Sequence, residues 1–152
     1  MARSVSGIIL FALCLLCGCN QKTGSDAPAA KAVEIPARGS LAVEARLEEI
    51  PAPFPANDLY DYVYIMRYRV LKVLRGTLAD SVILVGHYNP RFSRREITDG
   101  MDSLVDGDLS SFNPGDVHRL ALKDLDSLGV APKVEDNYRE SGRRWFALWA
   151  GK

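Results

Sequence analysis

The side chains that could carry chemistry are few and sit at the ends of apolar runs. His87 closes one run and His118 opens another, and Asp116 lies two residues before His118, a spacing that turns both to the same side of a strand. A His, Asp, His set is a donor group for a divalent metal or for acid–base work. The plainer reading makes Asp116 a turn residue after Gly115, His118 a strand-end imidazole bonded to backbone, and His87 a solvent-facing group, because turns attract polar residues in any case. On that reading neither a metal nor a cofactor is expected. Cys14, Cys17 and Cys19 are the three cysteines and all precede Asn20, so the rest of the chain has no thiol to pair, ligate or attack with.

Two further groupings fail tests of spacing. Asp99, Asp102, Asp106 and Asp108 cluster around Gly100 and Gly107, yet the pattern is not that of an EF-hand loop, and a solvated acidic segment accounts for it. A serine hydrolase of the SGNH type needs its serine directly after Gly-Asp, whereas Gly107-Asp108-Leu109-Ser110 places it one residue late. Asp116-Val117-His118 is likewise one residue short of an Asp-x-x-His pair, and no Gly-x-Ser-x-Gly elbow exists. Serine hydrolysis is not expected.

Binding chemistry has more to work with. Tyr60, Tyr62, Tyr64 and Tyr68 form a stripe that either stacks on rings or lines a barrel with its hydroxyls at the rim; alternate positions of a long strand favour the lining. Tyr88, Arg91, Phe92, Arg94 and Arg95 form an aromatic and basic group suited to an anionic glycan or an acidic protein surface. The whole chain balances 19 basic against 19 acidic residues, so nucleic acid is not an expected partner.

These groups need elements to hold them. Leu41, Val43, Ala45 and Leu47 alternate with polar or small residues and predict a first strand. Pro51, Pro53 and Pro55 force an extended connection. Tyr60 to Leu74, free of Gly and Pro, is the central strand; it is apolar on both faces in different halves, which predicts a bend at a bulge. Val82 to Val85 is a short buried strand, a polar excursion runs from Arg91 to Pro114 with a helical turn expected at Met101 to Val105, and Val117 to Lys123 is the fourth strand. Trp145 to Ala150 closes the set as a strand or a short helix. Five strands, one long and bent, predict a mainly β fold: a small five-stranded OB-like barrel, or failing that a curled antiparallel sheet. With 152 residues, one domain plus tails is expected.

The N-terminus reads as an address. Arg3 is followed by an apolar run from Ile8 to Cys17, too short to span a membrane and right for a signal-peptide core. Leu16-Cys17-Gly18-Cys19 resembles a bacterial lipobox, which implies cleavage before Cys19, acylation of that cysteine and a membrane anchor. Asn20 after the cysteine resembles the outer-membrane sorting pattern, implying the periplasmic face of that membrane if the source is Gram-negative. From Asn20 to Ser40 the composition turns to Gln, Lys, Gly, Ser, Pro and Ala, a flexible tether. The expected organisation is signal peptide 1–18, lipidated cysteine and tether 19–40, and β domain 41–152.

Tyr68 to Gly76, then Val82 to Val85, then Phe112-Asn113-Pro114-Gly115-Asp116 leading to Leu122 resemble netrin-like and metalloproteinase-inhibitor-like OB barrels, in which a Val-Leu-x-Gly turn ends one strand and Gly-Asp begins a later one. The match lies at turn and core positions, so it implies fold and not activity. Together these features predict a lipid-anchored, non-enzymatic envelope protein that binds a protein or an envelope glycan. The alternative is a metal-binding or hydrolytic protein using His87, Asp116 and His118.

Overall fold

The structure, a computed structural model, describes residues 34–152. The expected signal peptide, Cys19 and the tether up to residue 33 lie outside the described residues. Seven strands follow in order: β1 (Leu41–Glu49), β2 (Tyr62–Arg75), β3 (Val82–Tyr88), β4 (Asp106–Gly107), β5 (Val117–Asp124), β6 (Lys133–Glu135) and β7 (Arg144–Gly151). Five of them close on themselves. β1 pairs with β2 and β5, β5 with β7, β7 with β3, and β3 with β2, so the ring β1-β5-β7-β3-β2 returns to β1. All these pairings are antiparallel except β3 with β7. β4 and β6 add short parallel pairings outside the ring. The mainly β, five-stranded barrel expected from the sequence is what forms, and Trp145 to Ala150 belongs to a strand.

β2 achieves closure by bending. In its pairing with β1, Leu71 and Leu74 have no opposite residue, and neither does Glu48 on β1. Each such bulge kinks the strand and raises its twist, which lets the first half of β2 pair with β3 and the second half with β1.

Closure creates two apolar layers. Inside lie Leu41, Val43, Leu47, Met66, Val85, Leu120 and Leu122 together with Tyr62, Tyr64 and Tyr68, so the tyrosine stripe lines the barrel. Tyr62 and Tyr64 keep their hydroxyls satisfied at the rim, donating to the carbonyls of Pro55 and Ala52 in the proline-rich connection. The other face of β2, Val63 and Ile65, packs with Leu84, Phe146 and Leu148 under Ile97, Val105 and Leu128. The excursion from Arg91 to Pro114 is therefore structural: Ile97 and Val105 cover the outside of the sheet, while Leu109 and Phe112 enter the barrel core. It contains a short 3-10 turn at Arg94–Glu96 and a hydrogen-bonded turn from Met101 to Val105.

Candidate functional site

The chemistry-bearing residues meet at the end of the barrel where β1, β3 and β7 finish and β5 begins. His87, next to last in β3, points inward, as does His118, second in β5; both have no solvent exposure. The expectation that His87 faces solvent is corrected: its alternation along β3 puts it on the same inward face as Ile83 and Val85. Tyr68 extends its hydroxyl between the two rings, 3.1 Å from His87 Nε2 and 3.1 Å from His118 Nδ1. Arg94 reaches in from the 3-10 turn and donates to His87 Nδ1 at 3.0 Å and to the Tyr88 carbonyl at 2.6 Å. Phe112 closes the cluster, with its ring 4.7 Å from that of His87, 5.8 Å from that of His118 and 5.8 Å from the Arg94 guanidinium carbon.

One donor fixes the direction of every proton. A guanidinium only donates, so His87 Nδ1 must accept and the neutral ring carries its proton on Nε2. That N–H donates to the Tyr68 oxygen, the Tyr68 hydroxyl donates to His118 Nδ1, and His118 carries its proton on Nε2. The chain ends unsatisfied. His118 Nε2 is buried without a hydrogen-bond partner, because the nearest carboxylate oxygen, Asp116 Oδ2, is 3.8 Å away, beyond hydrogen-bond range. Asp116 is held instead by Lys152 Nζ at 3.1 Å and Asn113 Nδ2 at 3.4 Å, and the Lys152 bond lowers its pKa.

Burial enforces neutrality along this chain. Desolvation pushes His118 down to about 4, against a weaker pull upward from Asp116, and lowers His87 well below the usual imidazole range, with the Arg94 charge adding to the effect. Burial likewise raises the Tyr68 hydroxyl far above its ordinary value. Arg94, desolvated to about 10, remains charged at neutral pH, and among the described residues it has no carboxylate partner.

The metal arrangement weighed from sequence does not assemble. His87 commits both ring nitrogens, one of them to a cation, and among the described residues no three His, Cys, Asp or Glu side chains are placed to hold a metal ion. Asp116, His118 and Tyr68 do follow the order carboxylate, imidazole, hydroxyl used to activate a nucleophile. Here the hydroxyl is sealed, fully protonated and donating to the imidazole, with no path for a substrate to it.

The surface grouping is split by the fold. Arg91, Phe92 and Arg95 are exposed, Phe92 to 43%, while Arg94 is 5% exposed and Tyr88 is buried with its hydroxyl on Asp99 at 2.9 Å. Arg94 is therefore corrected from rim residue to core residue: in a 3-10 turn neighbouring side chains point apart, so only one of Arg94 and Arg95 can turn inward. Of the exposed residues, Phe92 lines a shallow depression of about 190 Å³ formed with Asp61, Asn89, Glu96 and Asp99, so the charges that line it are acidic. The acidic residues of the excursion have local partners: Asp99 caps the Met101 amide, Asp106 pairs with Arg38, and Asp108 accepts from the Lys152 amide.

Sequence reasoning missed the roles of Tyr68, Arg94 and Phe112 because Tyr68 meets its partners 19 and 50 positions away, and Arg94 and Phe112 turn inward from an irregular segment that carries no period. The available signal was an inward-facing tyrosine on the central strand of a barrel whose two histidines both lie at strand ends. Compared with known proteins, the chain matches no family model, no curated protein and no solved structure.

Proposed function

We propose that this protein is a lipid-anchored, non-enzymatic binding module of a bacterial cell envelope, tethered through Cys19 and recognising an envelope glycan through the exposed start of the 91–114 excursion. The observation that carries this reading is the separation of chemistry from surface. His87, His118 and Tyr68 are sealed in the barrel, and the aromatic face left outside, Phe92, lines a depression with the carboxylates of Asp61, Glu96 and Asp99. An aromatic face stacks on a sugar ring, Asp61, Glu96 and Asp99 accept hydroxyl protons, and Arg91 and Arg95 suit acidic substituents. The lipobox resemblance of Leu16-Cys17-Gly18-Cys19 supports the anchor and the compartment.

Cosedimentation of the full-length protein in detergent with purified, protein-free envelope glycan tests the reading. The wild type is expected to pellet with the glycan, and the Phe92→Ala, Arg95→Ala double variant to remain in solution. Equal pelleting of both removes this surface from consideration. Failure of the wild type to pellet removes the glycan and leaves an envelope protein as the partner.

A further inference from the structure

The four-member chain Arg94, His87, Tyr68, His118 has a fixed polarity, and that polarity gives it no place for one more proton. His87 Nδ1 is occupied by an Arg94 donor, and His118 Nδ1 by the Tyr68 hydroxyl. A proton taken up from solvent at His118 Nδ1 leaves the Tyr68 oxygen facing two N–H donors, with its own O–H proton lacking an acceptor. If the Tyr68 hydroxyl reverses toward His87, the His87 proton must move to Nδ1, where it meets the N–H of Arg94. In either case a hydrogen bond of the chain is lost and a buried imidazolium joins a buried guanidinium.

We propose that this cluster is an acid-operated latch: protonation of the His87–His118 pair expels Arg94 from the barrel and releases the 91–114 excursion that Arg94 and Phe112 hold down. Arg94 and Phe112 lie near the two ends of that excursion, and both contact the His87 ring. Between them, Ile97 and Val105 cover Val63, Ile65, Leu84 and Phe146, so release uncovers an apolar sheet face.

The surroundings of the pair leave the added charge without adequate compensation. His87 is faced by Arg94 from the excursion, Tyr68 from β2 and His118 from β5. His118 is faced by Tyr68, by Asp116 from its own approach, by Lys152 after β7 and by Asp108 from the excursion, while β1 sets Ala45 opposite it. Of the two carboxylates, Asp116 is bound to Lys152, and Asp108 accepts from the Lys152 backbone. The unpartnered His118 Nε2–H beside Asp116 shows that the ring has a nearby carboxylate but no bond to it. In the closed barrel His118 takes its second proton at about 4.

Two measurements on the full-length protein in detergent decide the matter. Hydrogen exchange, corrected for its intrinsic pH dependence, should show residues 91–114 losing protection about tenfold per pH unit as pH falls from about 6.5, where a released imidazole titrates, to about 4, where His118 titrates in the closed barrel, while β1, β2 and β5 stay protected. His118→Asn, whose carbonyl can still accept from Tyr68 but takes no proton, should lose protection of the excursion more shallowly across the same range, with His87 alone left to titrate. Imidazole nitrogen shifts of the wild type should show both rings protonated on Nε2 at neutral pH, with His118 gaining its second proton before the barrel unfolds. This second measurement stands even if the variant misfolds. An excursion that stays protected until global unfolding, identical behaviour of His118→Asn, or an imidazole pair that remains neutral in the folded protein would each overturn the latch.

Discussion

Arg94 and His87, seven positions apart on a chain that leaves the barrel between them, rejoin inside it: the guanidinium donates to His87 Nδ1 at 3.0 Å with both residues almost wholly removed from water. A buried cation held by a neutral imidazole, a carbonyl and an aromatic face depends on every one of those contacts. Arg94→Ala should therefore cost about 3 kcal/mol, since it orphans His87 Nδ1 and the Tyr88 carbonyl and opens a void under Phe112. Arg95→Ala, one residue on and exposed, should stay within about 0.5 kcal/mol. Urea unfolding of the two single variants measures the contrast, and equal midpoints would contradict the burial of Arg94.

Tyr68→Phe isolates the hydroxyl. The ring stays, so the packing with both imidazoles survives, but His87 Nε2–H loses its acceptor and His118 Nδ1 its donor. Two buried polar groups left unpaired should cost about 2 to 4 kcal/mol. Tyr64→Phe serves as the comparison, because its hydroxyl meets backbone at the rim where water can replace it, and its expected loss is about 1 kcal/mol.

The sequence made the barrel legible because barrel strands announce themselves locally. Alternation in Leu41 to Leu47 and the Gly- and Pro-free run through Tyr68 reflect burial of one or both faces, which any window of the chain reports. The two-residue β4 and three-residue β6 carry no such period and exist only through pairing with β7 and β2, so they were not foreseen. The site was half legible. Residue type alone marks His87, Asp116 and His118, but their arrangement depends on which side chain fills the space between them, and the spacing of Tyr68 shows only its membership of a stripe. Arg94 and Arg95 are the clearest case: identical neighbours in sequence, separated by a 3-10 turn into core and surface.

Stability should fall with acid in a window set by the imidazoles. An unfolded histidine titrates near 6.5, whereas burial holds folded His118 at about 4 and pushes His87 well below the usual imidazole range. Between those values the unfolded chain binds more protons than the folded one, so stability is full above about 6.5 and declines as pH falls toward 4. His118 alone accounts for roughly 3 kcal/mol across that interval at 1.36 kcal/mol per unit. Denaturation midpoints from pH 7 to 4 should show the decline in the wild type and a shallower one in His118→Asn. A flat profile would mean that the imidazoles are not buried neutral.

Gly107 tests how the excursion is stitched to the barrel. Its φ of 130° is a conformation that side chains rarely adopt, and a Cβ placed there would lie 1.9 Å from the Ala150 carbonyl oxygen. Gly107→Ala must push β4 off β7 and should cost about 1 to 3 kcal/mol. Gly100→Ala meets nothing within 4 Å and should be close to neutral. Thermal melts of the pair check the difference, and a neutral Gly107→Ala would remove β4 from the elements that hold the excursion.

The anchor prediction rests on sequence, since Cys19 lies outside the described residues. A thioether-linked lipid on Cys19, as proposed, would give the chain a durable attachment, because two or more acyl chains are needed for stable binding and each buried CH₂ contributes about 0.8 kcal/mol. The apolar run from Ile8 to Cys17 is too short to span a bilayer by itself, and cleavage before Cys19 would remove it. Cys19→Ser should therefore abolish incorporation of a labelled fatty acid and shift the processed chain from the membrane pellet to the soluble fraction, or leave it unprocessed with its leader attached. Cys17→Ser, which keeps Leu16, Gly18 and Cys19, should label and fractionate as the wild type does. A processed Cys19→Ser chain that still labels and still pellets would exclude lipidation at that residue and move the attachment to another part of the molecule.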